Sequence, residues 1–116
     1  MIRQDDEIKT DIFEKRFGGE GTVTMRHLLE GAPEMYDKGR LFSHGIIEPG
    51  ASLGYHVHEN ESETFYILKG IAEYNDNGVV SVIKAGDVTF TAAGQGHAMK
   101  SIGEEPLEFI ALILFK

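Results

Sequence analysis

From residue 39 to its end the chain is cut at short, regular intervals by glycine-bearing turns, and this punctuation constrains the fold more than any other feature. The runs between the turns are β-branched or aromatic: Arg40–Ile47, Thr64–Leu68, Ile71–Tyr74, Val79–Ile83, Val88–Thr91, His97–Ile102 and Leu107–Phe115. Separating them are Glu48-Pro-Gly, Lys69-Gly, Asn75-Asp-Asn-Gly78, Ala85-Gly-Asp and Gly103-Glu-Glu-Pro106. Asn77-Gly78 between apolar runs predicts a hairpin, because a type I′ turn needs the positive φ that Asn and Gly tolerate. No stretch carries a sustained 3.6-residue apolar period. Many short strands at even spacing predict an all-β fold, either a sandwich or a small antiparallel barrel or jelly roll.

Thr22–Leu29 reads as one more strand, set off by the Gly18-Gly-Glu-Gly21 turn. Residues 1–20 are ambiguous, since Ile8, Ile12 and Phe13 sit at roughly helical spacing in a charged segment. A short helix, a strand exchanged into a neighbouring subunit's sheet and a loosely ordered arm all stand open. Residues 21–116 are expected to form a single barrel domain. A chain of 116 residues can bury about two-thirds of its unfolded surface. Its formal net charge of −8, from 11 basic and 19 acidic residues, argues against a nucleic-acid partner. Cysteine is absent, which removes disulfides and thiolate chemistry. The first residues lack the apolar run of a signal peptide and no segment is fit to span a bilayer, so the expected compartment is the cytoplasm with no membrane partner.

Chemistry concentrates in Gly50-Ala-Ser-Leu-Gly-Tyr-His56-Val-His58-Glu-Asn-Glu-Ser-Glu63. On a strand His56 and His58 project from one face. Glu63 lies at an odd offset, so Glu59-Asn60-Glu61-Ser62 must bend the chain, and a hairpin is expected to return Glu63 over the histidines. By geometry alone Glu61 competes with Glu63 as the carboxylate. Imidazoles with a carboxylate suit a borderline first-row cation. His97 follows the Gly94-Gln-Gly96 turn and meets the first cluster only if the sheet curls back on itself, as a barrel does.

Here the chain resembles the cupin superfamily, in particular its small single-domain members. The first cupin motif is a glycine, five residues, His-x-His, three or four residues, Glu, six residues and a glycine. Gly50, His56, His58, Glu63 and Gly70 match every element. Of the second motif, Gly86, Gly94 and His97 match in spacing, while Ala92 replaces a proline and Ser101 an asparagine. The resemblance implies His56, His58, Glu63 and His97 as ligands of one divalent transition metal (Mn, Fe, Ni or Zn), and it prefers Glu63 over Glu61.

Alternation nominates neighbours of such a site. Ser52 and Gly54 share the phase of His56, Phe65 and Ile67 that of Glu63, and Met99 and Ser101 that of His97. Either Arg40, Phe42, His44 and Ile46 or the alternate set Leu41, Ser43 and Gly45 points inward. In the first case Arg40 and His44 would be the candidate substrate or proton-transfer groups. His27 has no visible partner and reads as structural. The resemblance implies a metal-dependent enzyme (dioxygenase, isomerase or decarboxylase/lyase) acting on a small oxygen-rich acid or sugar derivative. A non-catalytic small-molecule binding or sensor module is the alternative. The C-terminal run Phe109–Phe115, apolar on both strand faces, predicts a homodimer.

Overall fold

The computed structural model describes residues 1–116, which form ten strands and three short 3-10 turns. The strands are β1 (Lys9–Glu14), β2 (Thr22–Leu29), β3 (Gly39–Ile47), β4 (Ser52–Val57) and β5 (Glu61–Lys69), followed by β6 (Ile71–Asp76), β7 (Val79–Lys84), β8 (Val88–Thr91), β9 (Gly96–Ser101) and β10 (Leu107–Phe115). They make two facing antiparallel sheets. One has the order β1-β2-β3-β10-β5-β8 and the other β4-β9-β6-β7. The all-β barrel expected from the turns is therefore present, and each run predicted from residue 39 onward lies in a strand, save that Ile102 falls just past the end of β9. Asn77 and Gly78 both adopt positive φ between β6 and β7, the conformation a two-residue hairpin turn requires.

The core lies between the sheets, where period-two alternation turns Leu107, Phe109, Ala111 and Ile113 of β10 inward against Phe65 and Ile67 of β5. Gly45 on β3 stands opposite Phe109 in the ladder, and its missing side chain is where the Phe109 ring lies. On β3 the buried set is Gly39, Ser43, Gly45 and Ile47, so the second of the two phases points inward.

Three local expectations are corrected. Glu63 does not return over the histidines by a hairpin: β4 pairs with β9, β5 pairs with β10 and β8, and the short link between β4 and β5 crosses from one sheet to the other. The side chains still meet, because both sheets turn their inner faces to the same interior. Ser52 and Gly54 do not share the inward phase of His56. The β4–β9 register shifts between Leu53 and His56, and Leu53 is the buried neighbour. Residues 9–14 are neither helix nor loose chain but a strand paired with β2 of the same chain, from Lys9↔His27 to Glu14↔Thr22. No helix is long and apolar enough to cross a membrane.

Candidate metal centre

His56 and His97 are directly opposite each other in the β4–β9 ladder, and His58 follows where β4 ends. Glu63 reaches the same point from the opposite sheet. The four side chains offer one donor atom each, all within 4.8 Å of one another. His97 Nε2 lies 3.1 Å from both His58 Nε2 and His56 Nε2. Glu63 Oε1 lies 2.9 Å from His58 Nε2, 3.0 Å from His97 Nε2 and 4.0 Å from His56 Nε2. The group could hold a metal ion.

The outward ring nitrogens explain why the inward ones converge. His56 Nδ1 donates to the Gly54 carbonyl at 2.7 Å. His58 Nδ1 donates to Glu61 Oε2 at 2.7 Å. His97 Nδ1 meets the Tyr74 hydroxyl at 2.7 Å and the Thr91 hydroxyl at 2.9 Å. Holding the proton on Nδ1 leaves each Nε2 lone pair turned toward the common point, the tautomer that metal ligation needs. Three lone pairs and a buried carboxylate facing one another are mutually repulsive unless a cation or protons sit among them, so this donor set fits a metal ion. Burial alone would raise the Glu63 carboxyl, but the three imidazoles that face it hold it far below the usual carboxylate range. His58 is raised, chiefly by Glu63 and against its burial. His97 is lowered by burial, against the pull of Glu63.

Glu61, the geometric rival for ligation, occupies a different place. Its carboxylate bridges His58 Nδ1 and Arg40, whose Nε and Nη2 donate to it at 2.8 and 2.7 Å. Arg40 thus orients His58 through Glu61 and also borders the cavity. His44 points away on the outer face, where Nε2 lies 2.8 Å from Glu108 Oε1 and Nδ1 lies 3.2 Å from Arg26. Phe65, Ile67, Met99 and Ser101 are buried as alternation predicted, and the Phe65 ring stacks on His97 at 5.0 Å between centroids.

Beside the cluster lies a cavity of about 280 Å³. Its walls include His56, His58, Glu63, Phe65, Leu53 and Arg40, and also Asp11, Phe13, Arg16, Phe17 and His27. The sequence reading missed this second group. His27 is not partnerless: its Nε2 lies 2.8 Å from Asp11 Oδ2 and its Nδ1 2.9 Å from the Ser43 hydroxyl. The β1–β2 register that creates the pair has no signal in the sequence. Tyr74 and Thr91 were missed too, although the inward alternation of Ala72 and Tyr74 on β6 would have pointed to the former.

The family profile described as "Cupin domain" matches residues 43–113, which contain all four candidate ligands. The chain belongs to the cupins. It is 42% identical, over 98% of its length and 93% of the relative's, to a Thermotoga maritima protein named oxalate-binding protein. It is also 34% identical over 57% of its length to oxalate decarboxylase OxdC of Bacillus subtilis, a match spanning 18% of that enzyme. Among solved structures, one described as a predicted oxalate decarboxylase from Thermotoga maritima superposes over both entire chains with a TM-score of 0.94 at 41% identity. The polyketide cyclase RemF of Streptomyces resistomycificus, at 20% identity and a TM-score of 0.75, shares the fold.

Proposed function

We propose that this cupin holds one divalent transition-metal ion through His56, His58, Glu63 and His97 and uses it to bind a small carboxylate, with oxalate the first candidate. The observation that carries the reading is the convergence of three Nε2 atoms and Glu63 Oε1 beside a cavity large enough for a small acid. Four protein donors leave room in an octahedral sphere, and the ion would supply a positive centre for carboxylate oxygens. The name of the 42%-identical relative supports oxalate. The test is calorimetric titration of oxalate into protein loaded with Mn(II) and into metal-free protein. Saturable binding is expected only in the loaded form. Equal binding with and without metal, or none in either, overturns the reading.

A second reading, turnover of the bound acid as a lyase, is favoured by the His27–Asp11 pair, an acid–base group in the cavity outside the ligand set. Splitting hydrogen oxalate into carbon dioxide and formate requires one proton at the carbon that loses its carboxyl group and no net oxidant. In this reading His27, which lines the cavity, would relay that proton. Formate release followed in the loaded protein tests it, and His27→Ala should abolish release while keeping metal and oxalate binding.

The protein is also proposed to be a homodimer. Side by side on the outer face of the larger sheet run the rows Ile110–Tyr66–Val88 and Leu112–Thr64–Phe90, with Val88 and Phe90 more than half exposed. An uncovered apolar face of this kind suits a second copy of the chain. Sedimentation at micromolar concentration should give a dimer, and Phe90→Lys should shift it toward monomer.

A further inference from the structure

The arginines of this chain divide unequally. Arg3 pairs with Glu30 and Glu34, Arg26 with Asp5, and Arg40 with Glu61. The Arg16 side chain has no ion pair and no hydrogen bond. Its guanidinium sits over two aromatic rings, with Cζ 4.0 Å from the Phe13 ring centroid and 4.4 Å from that of Phe17, and it borders the cavity. A cation–π contact holds the guanidinium over the rings but satisfies none of its N–H donors. The other charges around the cavity are answered: Arg40 by Glu61, Asp11 by His27, and Glu63 by the imidazoles. Arg16 is the one free positive charge there.

Its support is built onto the metal cluster. Phe17, whose one face carries Arg16, stacks on the His56 imidazole at 3.9 Å between centroids and 19° between planes. The turn reaches this position through left-handed backbone at Lys15 (φ 53°) and Phe17 (φ 55°). It packs backbone to backbone on β4, where a side chain at Gly54 would strike the Phe17 carbonyl. A continuous stack of guanidinium, phenyl ring and imidazole therefore links Arg16 to a candidate ligand.

We propose that Arg16 pairs with the carboxylate oxygens of the bound acid that the metal leaves free, so that the site prefers dicarboxylates to monocarboxylates. This rests on the metal-dependent carboxylate binding proposed above. Oxalate has oxygens left over once it is held at the metal, whereas formate has no second carboxylate to offer. A guanidinium fork fits those oxygens with charge-assisted hydrogen bonds.

The experiment titrates oxalate and formate into Mn(II)-loaded wild type, Arg16→Gln, Arg16→Lys and Lys15→Gln, each checked for equal metal content and native circular dichroism. Arg16→Gln should weaken oxalate by about 10- to 100-fold and shift formate by less than about twofold. Arg16→Lys should fall between, because it keeps the charge and loses the fork. Lys15→Gln removes the same charge one residue away and should leave both ligands unchanged. Wild-type affinity for oxalate in Arg16→Gln overturns the assignment, as does an equal loss for formate or an equal effect of Lys15→Gln. Absence of any carboxylate binding in loaded wild type would instead overturn the underlying reading, and the Arg16 assignment with it.

Discussion

Two phenylalanines stack on two of the candidate ligand imidazoles, and they belong to different kinds of structure. Phe65, on a central strand of the larger sheet, is 2% exposed; it lies parallel to His97 and meets Phe109 and Tyr74 edge-on. Phe17, on the turn after the edge strand β1, is 46% exposed and lies parallel to His56. The contact is the same in kind and its context is opposite. Around His97 every neighbour is held by several others, so the inner wall has one arrangement. Around His56 the support comes from a turn on a sheet edge, whose backbone packs on β4 but whose Phe17 ring is left half exposed. On the proposed reading, ion binding draws on the over-determined wall and ligand selection on the turn, so the two properties should be separable by mutation.

The largest effect should come from the wall itself. Glu63→Ala removes a donor and the countercharge of three imidazoles, and metal affinity should fall by more than about 100-fold. Metal content of the purified protein, measured beside wild type, checks it. Protons should do the same reversibly. An imidazole binds metal only when neutral, so bound metal should decline as the pH falls through the histidine range near ~6.5. The decline should begin above that range, because Glu63 and Glu61 raise His58 and let protons compete there first. Metal retained unchanged at pH 5 would break the assignment of the wall.

Next in size, Phe65→Ala should cost about 3–5 kcal/mol of stability, the usual range for emptying a buried aromatic site. Denaturant unfolding of the metal-free protein measures it without the contribution of the ion. A cost below about 1 kcal/mol would mean that the wall is looser than its burial indicates.

Glu61→Ala tests the level behind the ligands. The carboxylate orients His58 without facing the common point, so metal affinity should fall by about 10- to 100-fold, less than in Glu63→Ala. The Arg40 hydrogen bonds hold the Glu61 carboxyl below its usual range. The bridge is therefore complete above the ordinary glutamate range near ~4.3 and lost only as the pH falls through the lower folded value. An effect equal to or greater than that of Glu63→Ala would exchange the roles of the two carboxylates.

The same contrast separates what was legible in the sequence from what was not. Strands from residue 39 onward could be read because Gly and Asn at the turns carry positive φ whatever the tertiary context. The four candidate ligands could be named because the motif spacing carries a family resemblance; residue geometry alone left Glu61 open beside Glu63. The inward phase around Leu53 could not, since a register shift changes the face of every residue beyond it and leaves no mark on composition. Glu59-Asn60 reads as a turn whether the chain doubles back or crosses between sheets. The β1–β2 strand pair was hidden because Lys9–Glu14 is mostly exposed and lacks an apolar face, and with it were hidden the His27–Asp11 pair and the Arg16 stack. Features that depend on one local segment were readable, and those that need two segments brought into register were not.

The smallest effect on stability should come from Phe17→Ala, and it bears most directly on the contrast between wall and turn. The ring is half exposed, so little apolar area returns to water on its removal, and an aromatic stack adds about 0.5–1.5 kcal/mol at most. Unfolding of the metal-free protein should shift by about 1 kcal/mol or less, against the several expected for Phe65→Ala. Metal affinity should change by less than about threefold, because His56 Nδ1 remains bound to the Gly54 carbonyl and keeps the ring oriented. Arg16, however, loses one of its two aromatic supports, so oxalate binding should weaken in the direction of Arg16→Gln. A variant with near-native stability and metal content but reduced oxalate affinity would confirm that the turn serves the ligand and not the ion. If Phe17→Ala loses metal as Glu63→Ala does, or unfolds as readily as Phe65→Ala, the turn is part of the wall and the division collapses.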